Sequence, residues 1–161
     1  MTPEVKLEKY GPGPWMDEPD YLEFSHNGMD CRIMRNMLGS LCGYVKLPEN
    51  HPWEKEDIFH SEAEVHGGIT YSNKEDDGFW IGFDCAHLDD FCPSIEHNYL
   101  RMEKLSKMKD LPEPLKEILK NYPKMTNVLK KLNTSTYRNI AYVQQECRSL
   151  ANQVIASYTQ L

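Results

Sequence analysis

The sequence has no hydrophobic run long enough to cross a membrane. No apolar stretch approaches the roughly 20 residues that a membrane-spanning helix needs. The first six residues also lack the basic and then apolar pattern of a secretory signal. We therefore expect a cytoplasmic protein with no membrane partner.

Paired cysteines are missing as well. The chain has an odd number of cysteines, widely spread and without a Cys-x-x-Cys pair: Cys31, Cys42, Cys85, Cys92 and Cys147. This pattern argues against a disulfide framework and favours reduced thiols, as in a cytosol.

Basic side chains are scarce in the first part of the chain. Residues 1–92 hold 19 acidic side chains against 7 Lys and Arg, whereas residues 93–161 hold 6 acidic and 11 basic ones. A nucleic-acid interface normally has a dense basic face with interleaved aromatic residues, so we do not expect direct nucleic-acid binding. The acidic part could suit a basic protein partner, although acidic surfaces are more often simply solvated.

Repeats and low-complexity tracts are absent, and 161 residues predict a single domain. We divide it into an irregular N-terminal arm, a sheet, a segment of short helices and a C-terminal helix. The corresponding ranges are 1–20, 21–92, 93–133 and 134–161. Prolines cut the third range into short helices such as Leu115–Asn121 and Met125–Leu132.

Short alternating runs predict about five strands in residues 21–92. A hairpin is expected at 21–26 and 29–35, since Asn27-Gly28 supplies the positive φ angles of a tight turn. Further strands are expected at 41–47, 65–71 and 79–85, with a polar loop from Ser72 to Gly78. Their connections are too short for crossover helices, which predicts an antiparallel meander.

The C-terminal part has helical periodicity. Ile140, Val143, Cys147, Leu150 and Val154 recur at spacings of three and four residues. This predicts an amphipathic helix, capped by Thr134 or Ser135, that packs on the apolar face of the sheet. The fold class is therefore α+β.

Alternation along three strands predicts a polar face opposite the core. If the aliphatic side chains share one core, the other face gathers a thiol, a phenol, an imidazole, a hydroxyl, an indole and a carboxylate. These side chains belong to Cys42, Tyr44, His66, Thr70, Trp80 and Asp84. The sequence thus predicts a site on the sheet.

The order of several motifs resembles a family of small proteins from bacteriophages, prophages and bacteria. These motifs are Gly11-Pro12-Gly13-Pro14-Trp15, Glu18-Pro19-Asp20, Leu41-Cys42-Gly43-Tyr44-Val45, His51-Pro52, Val65-His66-Gly67-Gly68-Ile69-Thr70, Gly82-Phe83-Asp84-Cys85-Ala86-His87 and Tyr142-Val143-Gln144-Gln145-Glu146. The chain departs from the family at Leu88-Asp89-Asp90 and in its long 93–133 segment. The resemblance implies a phage accessory protein of the kind that disarms host defences.

The leading hypothesis is a pocket that binds a small polar, nucleotide-derived ligand. Gly67 and Gly68, next to His66, offer backbone N–H groups that a phosphate can approach closely. Tyr44 and Thr70 add hydroxyls, Trp80 a stacking face and Asp84 a carboxylate, and Arg32 or Arg35 could clamp an anion. We predict no cofactor.

Two other functions stay open. Cys42, His66 and Asp84 occur in the order of a Cys–His–acid hydrolase, although Cys42 lacks the helix N-terminus that lowers the thiol pKa in such enzymes. Alternatively, the acidic loops Glu54–Asp57 and Glu75–Asp77 could engage a basic host protein and inhibit it.

A zinc site is a weaker hypothesis. Cys42, His66, Cys85 and His87 could supply ligands, with Asp84 in place of one. However, Cys85 follows Ile81 and Phe83 onto the apolar face of its strand, so we assign it to the core and predict no metal.

Overall fold

A computed structural model describes residues 1–55, 63–120 and 134–158. The helices in these ranges are α1 (Pro3–Tyr10), α2 (Pro93–Ser106), α3 (Glu113–Lys120) and α4 (Ile140–Tyr158). The strands are β1 (Tyr21–His26), β2 (Met29–Arg35), β3 (Leu41–Lys46), β4 (Tyr71–Glu75) and β5 (Gly78–Asp84). Within the described part of the chain, no helix is both long and apolar enough to cross a membrane.

The strands form one antiparallel sheet, which confirms the α+β class. Their spatial order is β1-β2-β3-β5-β4, so β5 lies between β3 and β4. The expected hairpin joins β1 to β2, and its two turn residues, Asn27 and Gly28, have φ angles of 51° and 81°. The preference of Asn27-Gly28 for a tight turn is therefore a local signal that specifies the β1–β2 hairpin.

The strand predicted at 65–71 was wrong, and so was the polar loop at Ser72–Gly78. Gly67 and Gly68 have φ angles of 67° and 84°, and such angles bend the chain away from an extended conformation. Pairing with β5 begins where the Thr70 N–H donates to the Gly82 carbonyl at 2.9 Å, just before β4. The chain then makes a tight turn at residues 76–77.

Helix α4 covers one face of the sheet. The inward side chains of the strands are Cys31, Ile33, Leu41, Val45, Ile81, Phe83 and Cys85, and the helix contributes Val143, Cys147, Leu150, Ala151 and Val154. Each is at most 1% exposed. This confirms the predicted phase of β3 and β5 and the core assignment of Cys85. All five cysteines are free and buried.

The predicted helix boundaries need two corrections. Helix α4 begins at Ile140 rather than near Thr134, and its cap is Asn139, whose Oδ1 accepts the Tyr142 N–H at 2.9 Å. Helix α2 has 14 residues and is longer than expected. The short helix predicted at Met125–Leu132 lies outside the described residues.

The prediction of an irregular N-terminal arm was wrong in part, because α1 occupies residues 3–10 of it. Thr2 accepts the N–H of Val5, and Pro3 stands at the first helical position, where its missing N–H costs nothing. Lys6 is buried and donates to the carbonyl of Glu18 at 2.7 Å. Helix α1 is thereby fixed to the segment that leads into β1.

Candidate functional site

The outer face of the sheet brings Arg32, Tyr44 and Trp80 together, but Glu75 already holds both terminal nitrogens of the arginine. Its guanidinium carbon lies 4.2 Å from the Trp80 ring centroid and 4.8 Å from that of Tyr44. Both terminal nitrogens donate to Glu75, whose Oε1 also accepts from Tyr71 at 2.8 Å. These hydrogen bonds raise the pKa of Arg32 and lower the pKa of Glu75. A phosphate would have to displace Glu75 to reach Arg32.

Arg35 lies elsewhere and holds the N-terminal arm. Its side chain is 1% exposed and pairs with Asp20 at 2.8 Å and with Glu18 at 3.1 Å. It also donates to the carbonyl of Gly39 and to the hydroxyl of Tyr137, both at 2.8 Å. Two carboxylates, a carbonyl and a hydroxyl thus surround its guanidinium, which fits an anchoring role better than an anion clamp.

Cys42 and Asp84 are paired neighbours on β3 and β5, on the outer face. Burial, followed by the nearby charge of Asp84, raises the pKa of the Cys42 thiol to about 11. A protonated thiol is a poor nucleophile at neutral pH. The structure does not place His66 with these two residues, because its ring is bonded to other groups.

His66 lies in the loop before β4, against the helix α4. Its Nε2 is 2.8 Å from Asp90 Oδ2, and its Nδ1 is 3.0 Å from the hydroxyl of Tyr142. Its backbone N–H donates to Glu146 at 2.8 Å. Tyr142 and Glu146 are four residues apart and so share one helical face. Three groups therefore fix the ring and backbone of His66.

Asp90 is the centre of this arrangement. Its side chain is only 1% exposed, and its Oδ1 accepts from Arg138 Nε at 3.0 Å. Its Oδ2 accepts the His87 N–H at 3.0 Å in addition to the His66 ring. Burial by itself would raise the pKa of this carboxyl, but the hydrogen bonds from His66, Arg138 and the His87 backbone lower it. Asp90 therefore remains ionised.

His87 completes the group, and Gly67 makes room for it. The two histidine rings are 5.5 Å apart between centroids, and His87 Nδ1 is 3.4 Å from Asp90 Oδ2. A Cβ at Gly67 would come within 2.0 Å of the His87 ring. Only glycine fits there. We call His66, His87, Asp90, Arg138 and Tyr142 the histidine cluster.

The remaining predicted residues lie near the cluster or on the other face. Asp84 Oδ1 is 4.0 Å from His87 Nδ1, which connects the outer face to the cluster. A Cβ at Gly68 would meet nothing within 4 Å, and Thr70 is exposed, so the loop is open there. The four residues considered as zinc ligands do not lie together. Cys85 is in the core and Cys42 is on the outer face, whereas His66 and His87 belong to the histidine cluster.

Sequence reasoning missed Asp90, Arg138 and Tyr142. A signal for them existed, because three of the segments that carry the phage resemblance meet at the cluster. His66-Gly67 comes from the first, Asp84 and His87 from the second, and Tyr142 with Glu146 from the third. The meeting of these segments was not visible in strand alternation, because none of the cluster residues belongs to a strand.

Glu54 and the acidic loop Glu75–Asp77 border one groove at the other end of the sheet, whereas Glu56 and Asp57 lie outside the described residues. The groove has a volume of about 640 Å³. Its acidic lining residues are Asp30, Glu49, Glu54, Glu75, Asp76 and Asp77, with Lys46 and Lys74 as the basic ones. Glu75 is engaged by Arg32, and Asp77 by Lys46 at 3.2 Å and Trp80 at 3.0 Å. Glu54 thus shares a surface with the Glu75–Asp77 loop, but part of the charge of that loop is neutralised.

No protein-family model, curated protein or solved structure matches this chain. The function is therefore argued from the geometry of the histidine cluster and the groove.

Proposed function

We propose that the protein captures a small polar, nucleotide-derived ligand beside the histidine cluster. The observation that carries this proposal is the meeting of three motif segments at one polar surface. His87 is 35% exposed, Asp84 31% and Arg138 27%, so a ligand can reach side chains whose inner partners are fixed. A site prepared in this way loses little conformational entropy on binding.

The loop next to the cluster supports this location. Gly68 has no neighbour in the direction of a Cβ, so a ligand could approach the backbone closely. The exposed hydroxyl of Thr70 can donate or accept a hydrogen bond. Arg138 donates its Nε to Asp90 and lies over the Tyr142 ring at 4.8 Å, which orients a planar cation at the surface. Such a cation suits a phosphate.

The resemblance to phage proteins gives this capture a biological setting. We place the protein in the cytoplasm of a bacterial host, where it would sequester a small nucleotide used as a defence signal. Capture requires binding without turnover, so the ligand should be recovered chemically intact.

The first experiment is recovery of the ligand. Purified protein is incubated with an extract of infected bacteria, and separately with a panel of cyclic and linear nucleotides. The protein is then washed and denatured, and the released molecules are identified by mass spectrometry. An intact compound released only on denaturation supports capture. A chemically altered compound, or none at all, contradicts it.

Matched variants locate the binding surface. Thr70→Val and His87→Gln should reduce the recovered ligand at least tenfold, because His87 belongs to the histidine cluster and Thr70 offers an exposed hydroxyl next to the Gly67-Gly68 loop. His26→Gln is the control, since its ring bonds Asn152 at 3.1 Å on α4. Asn152 follows Tyr142 by ten residues, which is about 15 Å along a helix. Equal loss in all three variants would contradict this location.

The acidic groove favours a second candidate function, which is inhibition of a basic host protein. The shared groove brings Glu49, Glu54 and Asp76 to one surface. Charge reversal at Asp76 and Glu49 should abolish co-purification of such a partner and leave ligand recovery unchanged. Retention of the partner in both variants would dismiss this function.

A further inference from the structure

The histidine cluster presents three potential metal ligands close together. His66, His87 and Asp90 each offer one ligand atom, and these atoms lie within 4.8 Å of one another. Asp90 Oδ2 is 2.8 Å from His66 Nε2 and 3.4 Å from His87 Nδ1. Ligands at about 2.1 Å from a tetrahedral zinc ion are themselves roughly 3.4 Å apart. Small side-chain shifts would therefore admit an ion.

His87 provides an independent indication of a missing partner. Its Nδ1 is buried and makes no hydrogen bond within the described part of the chain. The nitrogen faces the carboxylates of Asp90 at 3.4 Å and Asp84 at 4.0 Å without hydrogen-bond geometry. A buried polar atom without a partner is costly. A cation bound between His87 and Asp90 would give this nitrogen a partner.

The groups behind the ligands are also those of a metal site. Metal-binding histidines and carboxylates usually have their second polar atom held by another residue. Here Tyr142 holds His66 Nδ1 and Arg138 holds Asp90 Oδ1, both at 3.0 Å. The tyrosine hydroxyl can donate or accept a hydrogen bond. It can therefore accept the Nδ1 proton of His66 in the tautomer whose Nε2 is unprotonated and able to bind an ion.

We propose that His66, His87 and Asp90 bind one divalent transition-metal ion, with zinc as the preferred choice. Two imidazoles and one carboxylate are a ligand set that zinc accepts, and a fourth position would stay open toward the surface at His87. This replaces the zinc hypothesis based on cysteines, since Cys42 and Cys85 take no part. The metal site goes beyond the proposed ligand capture and does not depend on it.

A titration of the full chain with metal alone tests the site. Tag-free protein is stripped with a chelator and titrated with Zn²⁺ by calorimetry and with Co²⁺ by absorption spectroscopy. We expect one ion per chain and the d–d bands of a four- or five-coordinate cobalt ion with nitrogen and oxygen ligands. No stoichiometric binding to folded protein would overturn the proposal. Sulfur-to-cobalt charge transfer would also overturn it, since it would assign the ion to cysteines.

Variants assign the ligands. His87→Gln and His66→Gln should weaken metal binding at least about 100-fold, while His26→Gln should change it less than twofold. His87 is the decisive position because it is half-exposed, and circular dichroism of each variant checks that the chain is folded. Binding by a folded His87→Gln protein at unchanged affinity would overturn the proposal. The metal titration contains no nucleotide. A failure to bind metal would therefore not contradict ligand capture, which the ligand-recovery experiment tests separately.

Discussion

The hydroxyl of Tyr142 lies 3.0 Å from Nδ1 of His66, and this contact joins the loop before β4 to α4. One helical turn further on, Glu146 accepts the backbone N–H of His66. One face of α4 therefore holds both the ring and the backbone of a single histidine. The position of the histidine cluster depends on the docking of this helix.

Replacement of Tyr142 by phenylalanine should loosen His66. We expect the free energy of unfolding to fall by about 0.5 to 1.5 kcal/mol, because one partly buried hydrogen bond is lost. Urea denaturation measures this. Tyr21→Phe is the control, since Tyr21 is 49% exposed and its bond to Glu23 lies at the surface. Equal stability of the two variants would show that the Tyr142 contact contributes nothing.

Gly67→Ala and Gly68→Ala form a matched pair. Both residues have positive φ angles, so both substitutions incur the backbone strain of about 1 kcal/mol. Only at Gly67 does the new Cβ collide with a side chain, the His87 ring. We expect Gly67→Ala to be the more destabilising by about 1 to 3 kcal/mol in thermal or urea unfolding. Similar losses in both variants would mean that His87 moves aside freely.

The stability contributed by Asp20 should depend on pH. Asp20 Oδ1 is 2.9 Å from Lys6 Nζ and 2.8 Å from Arg35 Nε. Burial would raise the pKa of this carboxyl, but the bonds from Lys6 and Arg35 lower it. The stabilisation is therefore complete above the unfolded pKa of about 3.9 and is lost as the pH falls through the lower folded value.

Asp20→Asn should accordingly cost about 1 to 2 kcal/mol at pH 7. Its difference from the unmodified protein should shrink as the pH is lowered below about 4. Urea denaturation across this range measures both effects, and the exposed Asp17→Asn serves as the control. A difference that stays constant down to pH 2 would contradict the ion-pair explanation.

Cys42 should react slowly with alkylating agents in the folded protein. With a pKa of about 11, roughly one thiol in 1000 is ionised at pH 8, and burial limits access further. Mass spectrometry of iodoacetamide-treated protein, folded and in urea, measures the ratio of the two rates. Rapid alkylation of folded protein at neutral pH would instead revive the hydrolase hypothesis for Cys42.

Much of the sheet was predictable because its signals are local. Asn27-Gly28 specifies a hairpin by backbone conformation alone, and the alternation of β3 and β5 separates core from outer face. The helix α4 followed from its apolar spacing. These signals need no knowledge of distant partners.

The site was less predictable because its contacts are long-range. Asp90 meets His66 across 24 residues and Arg138 across 48, and no periodic pattern connects them. The loop at Gly67 also looked like a strand, since Val65 and Ile69 alternate with polar residues. Positive φ angles at Gly67 and Gly68 interrupt the strand, and the His87 ring that excludes a side chain at Gly67 lies 20 residues further along the chain.

The placement of α4 has a consequence during synthesis. The helix follows all five strands in the chain, yet it is the element that covers their apolar face. At ordinary translation rates of about 5 to 20 residues per second, the finished strands would wait several seconds for it. Until it is synthesised, the apolar face that contains Leu41, Val45 and Phe83 has no helix to cover it. The histidine cluster is also completed late, because it includes Arg138 and Tyr142, which follow all five strands in the chain.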